Sequence, residues 1–172
     1  MKTLVLAGLI AFSGLASAQG GHASHAKQHG HAAATQDLRA QADQAKQSES
    51  VQVSECWIRS LPAPAPSAGY FLLKNGGDKD IKLQGAVSPT YGMVMLHQTM
   101  QHDGMSKMSE THDVVIPAGG ELAFKPGGYH AMLEQAKTAP AIGSQVGIDL
   151  LFDNGEKASA QCEVKPANTK AH

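Results

Sequence analysis

Gln145-Val146-Gly147-Ile148-Asp149-Leu150-Leu151-Phe152, then the turn Asp153-Asn154-Gly155-Glu156, then Ala158 to Val164, carries the clearest strand–turn–strand pattern in the chain. Val146, Ile148 and Leu150 fall on one face, because side chains alternate along an extended chain. Asn-Gly supplies the left-handed turn residues a hairpin needs. The same pattern runs back towards the N-terminus. Val51 to Ile58 is a strand, and the Pro62-Ala63-Pro64-Ala65-Pro66 stretch that follows cannot join a ladder. Tyr70 to Lys74, Ile81 to Val87 and Gly92 to Met100 come next, and Asp103-Gly104 turns the last of these back on itself. Val114 to Pro117, Glu121 to Lys125 and Tyr129 to Glu134 are short and separated by Gly-Gly or Pro-Gly-Gly. About nine short strands without a convincing helix predict an all-β sandwich or barrel over residues 51–165.

The ends differ from this domain. Residues 1–18 carry Lys2, an apolar run from Leu4 to Phe12, and the small-x-small site Ala16-Ser17-Ala18, which reads as an export signal. No cysteine follows the cleavage site, so no lipid or membrane anchor is expected, and the mature protein should be periplasmic. Residues 19–50 hold His22, His25, His29 and His31 and then an Ala/Gln-rich stretch whose one large apolar residue before Val51 is Leu38; this leader is expected to be disordered. Residues 166–172 read as a flexible tail. Removing Lys2 with the signal takes the formal net charge from -1 to -2, which gives no support for nucleic-acid binding. A monomer is expected.

Chemistry concentrates in four residues. Ten positions separate His97 from Met108, twenty-one separate Met108 from His130, and His130-Ala131-Met132 closes the set. His130 and Met132 lie two apart on a strand and so share a face, while Met108 stands on the returning arm of the Asp103-Gly104 hairpin. Two imidazoles and two thioethers suit a soft monovalent ion, Cu(I) above all, and thioether sulfur is a poor ligand for hard cations. Met95, Met100 and Met105 crowd the same hairpin and are candidate rim residues. Methionines usually fill core gaps, but the polar Gln101-His102-Asp103-Gly104 argues against a deep core here.

The spacing, together with Leu96-His97, Lys125-Pro126-Gly127-Gly128-Tyr129-His130-Ala131-Met132-Leu133, Trp57-Ile58-Arg59, Asn75-Gly76 and Ser88-Pro89, resembles the periplasmic copper chaperone family PCuAC. The resemblance covers residues 51–165. It implies a cupredoxin-like β-sandwich that binds one Cu(I) through His97, Met108, His130 and Met132. It also implies delivery to a cuproenzyme, typically the CuA site of cytochrome c oxidase, with that subunit or another copper chaperone as partner. The histidine leader is an addition to the common pattern; His22, His25, His29 and His31 are candidates for a second site taking Cu(II).

Cys56 and Cys162, one near each end of the domain, read first as a structural disulfide in an oxidising compartment, with two buried thiols as the alternative. A blue-copper carrier needs a cysteine thiolate beside two histidines, and no closely spaced His and Met follow Cys162. An enzyme is not expected: no Cys-x-x-Cys, serine triad or paired carboxylates are visible. A periplasmic copper buffer with no dedicated client is the serious alternative, since the same ligands would serve it.

Overall fold

The computed structural model describes residues 23–170, with side chains from His31 onward except that of Ala32. The export signal and His22 lie outside the described residues. One helix, α1 (Ala23–Gln44), precedes eleven strands: β1 (Lys46–Gln47), β2 (Val51–Arg59), β3 (Ser67–Asn75), β4 (Ile81–Val87), β5 (Tyr91–His102), β6 (Met105–Glu110), β7 (Val114–Ile116), β8 (Glu121–Phe124), β9 (Tyr129–Ala136), β10 (Gln145–Phe152) and β11 (Glu156–Lys165). All nine expected strands form. The other two are β1 and the returning arm of the hairpin, β6.

Hydrogen bonding runs in the order β6-β5-β9-β8-β3-β2-β11-β10-β4-β7, with β1 alongside β11. Most neighbours are antiparallel, but β2 and β11 run parallel, Trp57 facing Glu163. The two halves of this path enclose one core. Ile58, Leu73, Leu96 and Leu133 come from β2, β3, β5 and β9, and Leu83, Ile116, Ile148, Leu150 and Val164 from β4, β7, β10 and β11. This is the sandwich that the alternating pattern predicts. The Asn75 side chain helps close it by donating to the carbonyls of Lys79 (2.8 Å) and Ile116 (3.2 Å).

A bulge in β2 sets the disulfide. Val51 and Val53 point towards the core, and strict alternation would send Glu55 after them. The β2–β3 register instead shifts between Ser54 and Trp57, with Glu55 at φ 54°. One extra residue moves the alternation by one position. Cys56 and Ile58 then take the inward places, and Cys56 bonds to the fully buried Cys162.

The helix departs from the expectation of a disordered leader. Its apolar contribution is small, but the sheet supplies the rest. Ala42 packs with Val87 and Leu151 on the outer face of β4 and β10, joined by Leu38 and Ala45. A Cβ on Gly85 would come within 2.9 Å of two Leu38 carbons, so the missing side chain makes the seat for that leucine. Arg39 donates to the carbonyls of Tyr91 (2.7 Å) and Ser88 (3.1 Å). Lys157 donates to the Ala42 carbonyl at 2.8 Å, placing a cation at the helix C-terminus, where the dipole favours it. Leu38→Asp puts a charge into this seat. The expected result is loss of hydrogen-exchange protection over residues 34–44, with the amides of β10 and β11 still protected.

Candidate metal centre

Strands β6, β5 and β9 lie side by side at one end of the sheet path, and their registers align the four candidate ligands. His97 faces His130 across the β5–β9 ladder, and Met95 faces Met132. Thr99 faces Met108 across the β5–β6 ladder. Directly opposed residues project to the same face, so His97, Met108, His130 and Met132 share one face of three adjacent strands. Met95 stands among them opposite Met132. Glu110, opposite His97, is a neighbour that the spacing motif does not include; strand parity from Met108 is the signal that places it on this face.

His130 has a neighbour at each ring nitrogen. Its Nδ1 lies 3.2 Å from the Gly128 carbonyl and its Nε2 lies 3.2 Å from Met108 Sδ. A carbonyl can only accept, so this contact assigns the proton of neutral His130 to Nδ1 and turns the Nε2 lone pair to the sulfur. Gly128 O also accepts the Thr99 N–H at 3.0 Å, so one carbonyl positions both the ring and the hairpin strand. The turn before it depends on Gly127 at φ 81°, a left-handed conformation that costs glycine little. Two lone-pair donors side by side have no hydrogen to share. A cation that accepts from both fits this arrangement.

His97 is deeper, with 8% of its surface exposed, and its Nδ1 is buried without a hydrogen-bond partner. Burial is the largest influence on this ring, followed by the nearby His130, and together they lower its pKa from the ordinary 6.5; Glu110 opposes them. The imidazole therefore stays neutral, as a metal ligand must be. Unfolded, the ring returns to 6.5 and takes up its proton first as the pH falls. This group therefore lowers stability as the pH drops from about 6.5 and has no effect above it. An NMR titration of the His97 ring should show a midpoint below 6.5, and His97→Gln should flatten the stability profile in that acid range.

Met108 is 52% exposed, whereas His130 and Met132 are half-buried, so the cluster opens to solvent on the Met108 side. Among the described residues no three His, Cys, Asp or Glu side chains gather as a metal-binding set. The side chains that His97 and His130 share this strand face with include the thioethers of Met95, Met108 and Met132. The ring faces of His97 and His130 meet edge-on, with centroids 5.7 Å apart.

Of the leader histidines, His22 lies outside the described residues, and His25 and His29 fall in the helix without described side chains. His31 lines a small cavity with Glu110, His112, Met95 and Leu96. The docked helix thus brings one leader histidine close to the cluster. Other positions in the family resemblance prove architectural. Trp57 packs on Tyr70 with Arg59 over both rings. Ser88 donates to the Gly147 carbonyl at 2.8 Å.

Residues 51–164 match the family model described as "Putative lipoprotein LpqE-like". The chain is 31% identical over 121 residues to "Putative lipoprotein Lxx21020" of Leifsonia xyli subsp. xyli, spanning 70% of this chain and 72% of that protein. It is 30% identical over 103 residues to the uncharacterized protein RP573 of Rickettsia prowazekii, spanning 59% and 57%. Among solved structures it resembles the copper-bound PCuAC domain from PmoF2, with a TM-score of 0.57, 19% identity, and 68% and 93% of the two chains covered. It also resembles CuI-DR1885 from Deinococcus radiodurans, with a TM-score of 0.56, 28% identity, and 78% and 89% covered. The chain belongs to the LpqE-like family and has the fold of the PCuAC domains.

Proposed function

We propose that this protein is a periplasmic copper chaperone that binds one Cu(I) through His97, Met108, His130 and Met132 and passes it to a cuproenzyme. The observation that carries this reading is the 3.2 Å approach of His130 Nε2 and Met108 Sδ, on the strand face shared with His97 and Met132. Four neutral donors leave the site with the +1 charge of the ion, and nitrogen with thioether sulfur favours Cu(I) over Cu(II). The copper-bound PCuAC neighbour and CuI-DR1885 share this fold and support the choice of ion. Exposure of Met108 suits a transfer in which ligands exchange one at a time at an open edge. The disulfide suits an oxidising compartment, as does the export signal read from residues 1–18.

The proposed client is the CuA site of cytochrome c oxidase, reached directly or through another copper chaperone. His22, His25, His29 and His31 are proposed to take a second copper as Cu(II). A blue-copper role is disfavoured by the disulfide, because both cysteines are bonded to each other and no thiolate remains. The competing reading is a periplasmic copper buffer.

Two measurements test the proposal. Copper titration of the mature chain should give one tightly bound Cu(I) equivalent that survives deletion of residues 22–31 and one Cu(II) equivalent that does not. An unchanged total after deletion would remove the leader from metal binding. Gene deletion should abolish CuA loading at low copper; copper sensitivity with a normal oxidase would favour the buffer.

A further inference from the structure

The hairpin that carries Met108 has a second face. Pairing of β5 with β9 ends at Gln98 and Tyr129, so the ribbon from Met100 to Lys107 projects beyond its neighbour with both faces open. Its register places His102 opposite Met105 and Met100 opposite Lys107. Met100 and His102 are two apart on β5 and share a face, whereas Met105 and Met108, three apart on β6, take opposite faces. Met100, His102 and Met105 therefore stand together on the side away from His97 and Met108.

These thioethers are out in solvent. Met105 is 69% exposed and Met100 45%. Among the described residues, the other exposed large apolar side chains besides Met108 are Val115 and Ile142, which stand elsewhere in the fold. Exposed apolar surface thus gathers at this one hairpin, as thioethers. A directly opposed pair and its diagonal neighbour lie within reach of long side chains, and unbranched methionine adapts readily. His102 Nε2 lies 3.2 Å from the Asp103 carboxylate. Because the carboxylate accepts, it favours the proton on Nε2 and leaves the Nδ1 lone pair for a ligand role. A carboxylate behind a ligating imidazole is a recurring support for metal binding. Lys107 shares the face, but its long flexible stem lets the ammonium turn away.

We propose that Met100, His102 and Met105 form a second, weaker site for a soft monovalent ion, Cu(I) or Ag(I), at the tip of the hairpin and separate from the cluster of His97, Met108, His130 and Met132. It has three donors where the first cluster has four, and it stands in open solvent. An ion captured there sits one strand edge away from Met108.

The test is a titration of the mature chain with Ag(I), a redox-inert soft ion, followed through the labelled methyl groups of methionine by NMR. The first equivalent should move the Met108 and Met132 methyls. Further Ag(I) should move the Met100 and Met105 methyls together with the His102 ring, and the double variant Met100→Leu/Met105→Leu should lose that later phase alone. Zn(II) should leave the Met100 and Met105 methyls in place. If those methyls stay still at saturating Ag(I) while Met108 and Met132 shift, the second site is wrong and the first reading stands. If Met100 and Met105 shift while Met108 and Met132 do not, the first reading fails and the second site stands. If none of the four moves, both fall.

Discussion

His130→Ala is expected to weaken Cu(I) binding by at least about 100-fold, the upper end of what loss of a ligand's supporting partner alone costs. Two features make His130 the centre of the cluster. It presents Nε2 to Met108 Sδ at 3.2 Å, and it stands opposite His97 in the β5–β9 ladder. Removing the ring leaves Met108 without its nitrogen neighbour and His97 without the imidazole across the ladder. The fold should change little, because His130 is half-buried on the face opposite the fully packed Ala131 and Leu133. Competition with a Cu(I) chelator gives the affinity, and thermal unfolding of the metal-free variant checks the fold. An affinity within a few-fold of wild type would take His130 out of the ligand set. Met132→Ala should act in the same direction. Gly127→Ala should weaken binding less, because it strains the turn that positions the Gly128 carbonyl rather than removing a ligand.

Cys56→Ser should lower stability by about 2–5 kcal/mol, the usual cost of removing a native disulfide from a small exported domain. The bond spans 106 residues and joins β2 to β11, the parallel pair near the middle of the sheet path. In the chain-entropy account a closed loop of that length contributes the most. A second cost is local: Cys162 is fully buried, so its freed thiol remains in the core facing a serine hydroxyl. Urea unfolding of wild type and variant measures the difference. Cu(I) affinity of the folded variant should match wild type, since the cluster lies on β5, β6 and β9. A large loss of affinity in folded Cys56→Ser would mean that the disulfide shapes the site as well as the core.

Much of the architecture is legible in local pattern. Nine strands can be read from alternation and turn residues because burying one face of a strand imposes a period of two wherever the strand occurs. The same period puts His130 and Met132 on one face, and the Asp103-Gly104 turn brings Met108 back beside β5. What escapes this reading is long-range. Alternation alone sends Glu55 inward; the bulge that sends Cys56 inward instead shows only in the register with β3. The helix has one leucine and a few alanines to bury, and its docking depends on Val87 and Leu151, on the space at Gly85 and on carbonyls that receive Arg39. None of these is close to the helix in sequence.

Strand pattern, donor types and donor spacing are written locally in the chain, because side-chain parity and ligand softness are local properties. Long-range pairing is what lays β9 beside β5 in a register that sets His130 against His97, brings His31 near them on a docked helix, and turns Met100 and Met105 away from Met108. Pairing of strands distant along the chain is chosen by the common core that all of them bury. No single segment contains that choice.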